Sequence, residues 1–271
     1  MQSSNGALRL CVFDSGIGGL PFLKAIHEEW SGVSISYVAD DAGFPYGTKS
    51  PEAIRDILFE RVRRIRARLD PDILVISCMT AVQIGLKDLQ AAHRSMKIVG
   101  AIPPIAQAAG ETQSRRIAVL TTARAAEDAF LDDMIARDAP EIDVFRIPAQ
   151  DLVDYVEQHL PFAKQESAEA AVEPYVVYAL ENGADRLVLA SSHFVFLEEA
   201  IRHVIAARGM HDVRCLDSRA HVLSALRRFL FSEPAAENVA ETSFYLTGDR
   251  KPCPSYIAWA NRFGTAEPEL L

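Results

Sequence analysis

No apolar run in this chain approaches the roughly eighteen consecutive residues that cross a bilayer as a helix. The first residues, Met1-Gln2-Ser3-Ser4-Asn5-Gly6, lack the basic and apolar stretches of a secretory leader. The expectation is a soluble, cytoplasmic protein. Cysteine is scarce: the four, Cys11, Cys78, Cys215 and Cys253, lie far apart, which excludes the C-x-x-C spacing of a zinc or redox centre and leaves no metal site to propose. Cys11 and Cys215 sit inside apolar runs and read as small core residues. Positive charge is also short. With 28 Lys and Arg against 37 Asp and Glu, a net charge of -9, the chain lacks the basic surface that nucleic-acid binding requires. The densest basic stretch, Arg61-Val62-Arg63-Arg64-Ile65-Arg66-Ala67-Arg68, places Val62, Ile65 and Leu69 at helical spacing and reads as a solvated helix face. Standard nucleotide motifs are absent too. Asp14-Ser15-Gly16-Ile17-Gly18-Gly19 is not G-x-G-x-x-G and has no P-loop lysine.

What the chain does have is length and apolar content, 271 residues and 49% hydrophobic, enough for two small domains with real cores. Strand-like runs (Leu8 to Phe13, Ser34 to Val38, Ile73 to Ser77, Ile98 to Gly100, Ile117 to Thr121, Asp143 to Ile147, Leu187 to Ala190, Val213 to Leu216) alternate with helical ones. The helical runs are Leu20 to Trp30, Pro51 to Leu69, Val82 to His93, Ala125 to Arg137, Gln165 to Asn182, Glu198 to Arg208 and Arg219 to Phe231. Alternating β and α predicts an α/β fold with mostly parallel sheets.

Within that pattern the chain repeats itself. Asp72-Ile73-Leu74-Val75-Ile76-Ser77-Cys78-Met79-Thr80 matches Asp185-Arg186-Leu187-Val188-Leu189-Ala190-Ser191-Ser192-His193, and Arg9 to Ser15 is echoed by Arg116 to Thr122. Each is a buried-strand run ending in small polar residues, and the carboxyl ends of such strands are where open α/β sheets hold ligands. The repeat predicts two pseudo-symmetric parallel-sheet α/β domains with the site in the cleft between them. Residues 1-100 with 213-271 form the first and 101-212 the second. Ala101-Ile102-Pro103-Pro104 reads as the hinge, because consecutive prolines resist helix and central strand. Only a weak C-terminal tail is expected beyond the returning segment. One half presents a thiol, Cys78, where the other presents the hydroxyl of Ser191.

Other loops add candidates. The glycines at 16, 18 and 19 permit a tight turn and close approach of a ligand to backbone N–H groups. In Pro45-Tyr46-Gly47-Thr48-Lys49-Ser50, Ser50 reads as the N-cap of a helix with Pro51 at its first position, which leaves Tyr46 and Gly47 for a ligand. Cys78 also fits an inert buried thiol, and His193 a structural hydrogen-bonder.

These motifs, together with Val99-Gly100-Ala101-Ile102-Pro103-Pro104 and Cys78-Met79-Thr80-Ala81, resemble the cofactor-independent amino-acid racemases of the glutamate racemase type, in the family's order along the chain. The resemblance implies no cofactor, a plausible homodimer, an amino acid or related carboxylate as small-molecule partner, and a part in supplying D-glutamate for peptidoglycan. Such enzymes move a proton at Cα with two cysteines on opposite faces, against donors that stabilise the developing enolate-like charge. Carried over by position, Cys78 matches the first catalytic cysteine, and Asp14 and His193 match groups that tune or relay protons. Ser15, Pro45, Tyr46, Gly47, Met79, Thr80, Thr122 and Ser192 match substrate-binding positions. A thiol suits the task because neighbours can tune its pKa toward neutrality.

The chain departs from the pattern in several places. Ser191 stands where the second cysteine belongs, and a hydroxyl is a far poorer base. Met79 replaces an asparagine, Ala125 a threonine and Phe194 a tyrosine, so polar contacts to glutamate are lost. Three readings follow: a working racemase using Ser191, His193 or water on the second face; a one-thiol decarboxylase or isomerase acting on a less polar substrate; and a silent small-molecule-binding homologue. A serine hydrolase is disfavoured, since Ala190-Ser191-Ser192-His193 lacks the G-x-S-x-G elbow.

Overall fold

The structure is a computed structural model and describes residues 8–230 and 242–271. Its strands are β1 (Leu10–Asp14), β2 (Ile35–Ala39), β3 (Ile73–Ile76), β4 (Lys97–Gly100), β5 (Arg116–Thr121), β6 (Asp143–Pro148), β7 (Arg186–Ala190), β8 (Arg214–Leu216), β9 (Thr242–Leu246) and β10 (Glu269–Leu270). They form two sheets, a six-stranded one in the order β10-β9-β2-β1-β3-β4 and a four-stranded one in the order β6-β5-β7-β8. Every pairing in both sheets is parallel. The expected α/β architecture with two parallel sheets is therefore present. Among the described residues, no helix is long and apolar enough to cross a membrane.

The internal repeat extends to topology. The order β2-β1-β3-β4 in one sheet is matched by β6-β5-β7-β8 in the other, so Cys78, just past β3, and Ser191, just past β7, hold equivalent places. Central strands are buried on both faces, which is why β1, β3 and β7 read as unbroken apolar runs. The side-chain period of two divides the core. Leu10 and Val12 of β1 join the larger apolar cluster, while Cys11 and Phe13 join a second cluster with Ile54, Leu58, Val62 and Ile65 of the helix Pro51–Arg68.

Several expectations need correction. The chain does not leave the second sheet at residue 213, because β8 pairs with β7 as the counterpart of β4; the crossing back follows Leu216. The C-terminus is no weak tail: β9 pairs with β2, and in the helix Pro254–Phe263 the indole N–H of Trp259, 1% exposed, donates to the Val156 carbonyl at 3.2 Å. The run Ala125 to Arg137 is broken into helices Ala123–Ala126 and Ala129–Asp138, since Thr122 and Asp128 each cap a new start. Another helix, Gln150–Gln158, was absent from the periodicity reading. Phe231, at the end of the last helical run, and Met1 to Gly6 lie outside the described residues. The basic stretch is not simply solvated either. Arg61 pairs with buried Asp40 at 2.6 Å, and Arg64 donates to the carbonyls of Thr247 and Leu271.

Candidate active site

The carboxyl ends of β1, β3, β5 and β7 deliver their following residues to one narrow cavity of about 10 Å³. It is lined by Ser15, Pro45, Tyr46, Gly47, Cys78, Met79, Thr80, Thr122, Ser191, Ser192 and His193. Asp14, fully buried, stands just behind, its carboxylate accepting from the Ser77 hydroxyl at 2.8 Å and from the Gly16 N–H at 3.3 Å. Thus the residues singled out in sequence converge on one place. Phe44, Gln150 and Val153 line it as well, and none of these was anticipated.

Cys78 follows β3 and is the N-cap residue of the helix Met79–Ala92. Its thiol donates to the Ser15 hydroxyl at 3.4 Å. Burial, reinforced by the charge of Asp14, pushes the Cys78 thiol up to about 12, against the opposing hydrogen bond of Ser15. The expectation of a thiol drawn toward neutrality is therefore reversed here. At pH 7 it carries its proton.

On the other side, Ser191 follows β7 and leads into a 3-10 turn, Ser192–Leu197, so Ser191 and His193 are not placed by strand alternation. The His193 Nε2 lies 2.8 Å from Glu157 Oε1, and both side chains are buried. Burial alone would lower the imidazole's pKa, but the hydrogen bond and charge of Glu157, with Asp14 and Asp154 behind it, raise it above the ordinary value. Among the described residues no hydrogen bond joins Ser191 to His193, which leaves no Ser–His catalytic pair. Asp14 is raised chiefly by burial, with the His193 charge and the Ser77 and Ser192 hydrogen bonds opposing.

Glu157, on the helix Gln150–Gln158, was missed in sequence. Its carboxylate accepts the Ile17 N–H at 2.7 Å as well as bonding His193. A Cβ on Gly16 would lie 1.8 Å from Glu157 Oε1, and one on Gly18 would lie 2.3 Å from Ser192 Oγ, 2.8 Å from His193 Nδ1 and 2.9 Å from Asp14 Oδ1. The glycines therefore let side chains of the second half reach the backbone of the first. Three N–H groups of this turn are already used: Gly16 serves Asp14, Ile17 serves Glu157, and Gly19 donates to the Tyr37 hydroxyl at 3.0 Å.

The Tyr46 hydroxyl is likewise committed, donating to Asp40 at 2.7 Å while its ring faces the cavity. Ser50 caps its helix as expected, accepting from Ala53 N–H at 3.2 Å. Thr80 and Thr122 face each other at 3.4 Å, Thr122 also accepting from Ala125 N–H. The Met79 sulfur lies 3.7 Å from the Ser218 hydroxyl, which donates to the Ile102 carbonyl at 2.8 Å.

The model of the Asp/Glu/Hydantoin racemase family matches residues 19–226, more than half of the chain. The chain belongs to that family. It is 34% identical to a protein named glutamate racemase from Brucella anthropi over 206 residues, 75% of this chain and 74% of the relative. A similar relation holds with the glutamate racemase of Rhizobium meliloti, 34% identical over 72% of this chain and 71% of the relative. The fold matches the crystal structure of Escherichia coli glutamate racemase in complex with L-glutamate and the activator UDP-MurNAc-ala, with TM-score 0.80, 22% identity and 98% of each chain covered. It also matches a Bacillus anthracis glutamate racemase, with TM-score 0.76, 24% identity and 97% and 96% covered. The relatives named here include no decarboxylase and no silent binding protein, so those readings find no support among them.

Proposed function

We propose that this chain is a cofactor-independent amino-acid racemase-like isomerase in which Cys78 serves one face of the substrate's Cα and the His193–Glu157 pair serves the other. The observation that carries this reading is the convergence of one thiol and one buried imidazole–carboxylate pair on a cavity between the ends of two parallel sheets. Membership in a racemase family supports it.

A Cα–H beside a carboxylate is weakly acidic, so a base must be placed against one face while an acid waits at the other. The two groups here differ in kind. With both protons in place, thiol and imidazolium are acids only. After one proton is lost, a single proton is shared between them. Neutral His193 takes the Cα proton, the C–H electron pair passes into the carboxylate as an enolate-like charge, and the Cys78 thiol returns a proton from the opposite face. The reverse turnover starts from thiolate and imidazolium and uses the same proton count. The hydroxyls of Ser15, Thr80, Thr122 and Ser192 would receive the substrate's carboxylate and amine. Because the productive form has lost a proton that the raised His193 pKa retains, the inversion rate should climb as pH rises past the ordinary histidine range of about 6.5.

Three variants test the roles by polarimetry and isotope exchange. Cys78→Ala should abolish inversion. His193→Asn should abolish inversion and, because the Cys78 thiol then keeps its proton at neutral pH, show Cα exchange of one enantiomer only at alkaline pH where that thiol ionises. Ser191→Cys supplies a thiol to the second face and should raise inversion at least tenfold. Unchanged inversion in His193→Asn would defeat the assignment of the second face.

A further inference from the structure

The side chain of Gln150 stands apart from the other polar groups of the cavity. Both its amide atoms, Nε2 and Oε1, are buried, and neither has a hydrogen-bond partner among the described residues. It opens the helix Gln150–Gln158 and lines the cavity beside the Tyr46–Gly47 loop. The loop presses close: a Cβ on Gly47 would lie 2.2 Å from Gln150 Oε1 and 3.1 Å from Thr122 Cβ. A buried amide with donor and acceptor both unpaired is rare, because each group left without a partner carries its full desolvation cost. Such a group inside a cavity waits for a ligand.

We propose that Gln150 reads the far end of the substrate, and that the end it reads is a neutral carboxamide. This inference rests on the racemase-like reading above and names its substrate class. The donor–acceptor inventory decides between the candidates. A carboxylate has acceptors only; it satisfies Nε2 and sets an oxygen against Oε1. A carboxamide presents N–H and C=O together and satisfies both ends at once. Electrostatics act in the same direction. The lining contains no lysine or arginine, and two buried carboxyl groups, Asp14 and Glu157, stand against the single imidazole of His193. A second carboxylate on the substrate would meet no cation in that lining; Lys49, on the same loop as Tyr46, stands outside it with its ammonium held on the Pro45 carbonyl at 3.0 Å. Met79 adds an apolar wall beside it.

The test is isothermal titration calorimetry of the full chain with each enantiomer of glutamine, glutamate and asparagine, in wild type, Gln150→Leu and Gln150→Glu, with circular dichroism as the check of folding. Wild type should bind one glutamine enantiomer at least tenfold more tightly than either glutamate, with asparagine reporting the reach from Cα. Gln150→Leu should bring glutamine and glutamate within about threefold, as expected when an unpaired polar partner is removed. Gln150→Glu keeps the shape of the side chain and should widen the bias against glutamate. Equal or tighter binding of glutamate by wild type, a glutamine-to-glutamate ratio unchanged in Gln150→Leu, or no binding of either amino acid overturns the proposal. Selective glutamine binding without Cα exchange would leave Gln150 in this role and remove the racemase reading instead. Cα exchange of glutamate but not of glutamine would do the opposite.

Discussion

Glu157 Oε1 lies 2.8 Å from His193 Nε2 and 2.7 Å from the Ile17 N–H, so one carboxylate ties the imidazole of the second half to the glycine-rich turn of the first. Both side chains are buried. Removing one partner of a buried pair leaves the other uncompensated, at roughly 3–5 kcal/mol. Glu157→Gln should therefore lose about that much stability in urea unfolding. The pH dependence follows with a definite sign. His193 has a folded pKa above its unfolded value, so its contribution is complete below about pH 6.5 and is lost as pH rises through the higher folded pKa. Asp14, also raised, acts in the same direction. The wild-type stability should fall as pH rises above about 6.5, the ordinary histidine value, and the profile of Glu157→Gln should be flatter; parallel profiles would contradict the pairing.

The resting state of Cys78 is open to a chemical test. A thiol pushed up to about 12 is almost wholly protonated at neutral pH, and the thiolate is the form that alkylates. In a Cys253→Ser background, which removes an exposed thiol, iodoacetamide labelling of Cys78 should keep rising with pH beyond 10. A plateau near 8.5, the free-thiol value of about that size, would show that burial does not control it.

Gly18 carries a steric prediction. A methyl group there would meet Ser192, His193 and Asp14 together, at 2.3 to 2.9 Å, and overpacking of this kind costs about 1–3 kcal/mol. Gly18→Ala should lower the melting temperature and reduce turnover by at least tenfold through displacement of His193. A variant with wild-type melting and full turnover would contradict the close approach of the two halves at this point.

Much of this was legible in the chain. Unbroken apolar runs such as Ile73 to Ile76 and Leu187 to Ala190 announced buried parallel strands, and their polar ends pointed to Cys78 and Ser191. Side chains on the missed helix were not legible. Leu152, Val153 and Val156 mark its apolar face, but the helix is nine residues long and carries no motif, and Glu157 at the end of an apolar stripe resembles a solvated acid until His193 arrives from 36 residues away. An acid adjoining an apolar stripe was the available signal. The partners of Tyr46 and Ile17 were not legible for a related reason: sequence shows which donors exist, but not that Asp40 and Glu157 accept from them. The C-terminal elements escaped because β9 gains its place only by pairing with β2, more than 200 positions earlier.

The most direct test of proton transfer at Cα is proton NMR in deuterated water with each pure enantiomer of glutamine and of glutamate, read together with optical rotation. Loss of the Cα proton with inversion of both enantiomers of one amino acid, absent in Cys78→Ala, is the predicted result. Retention of the Cα proton in all four, across the pH range in which His193 loses its proton, would contradict it.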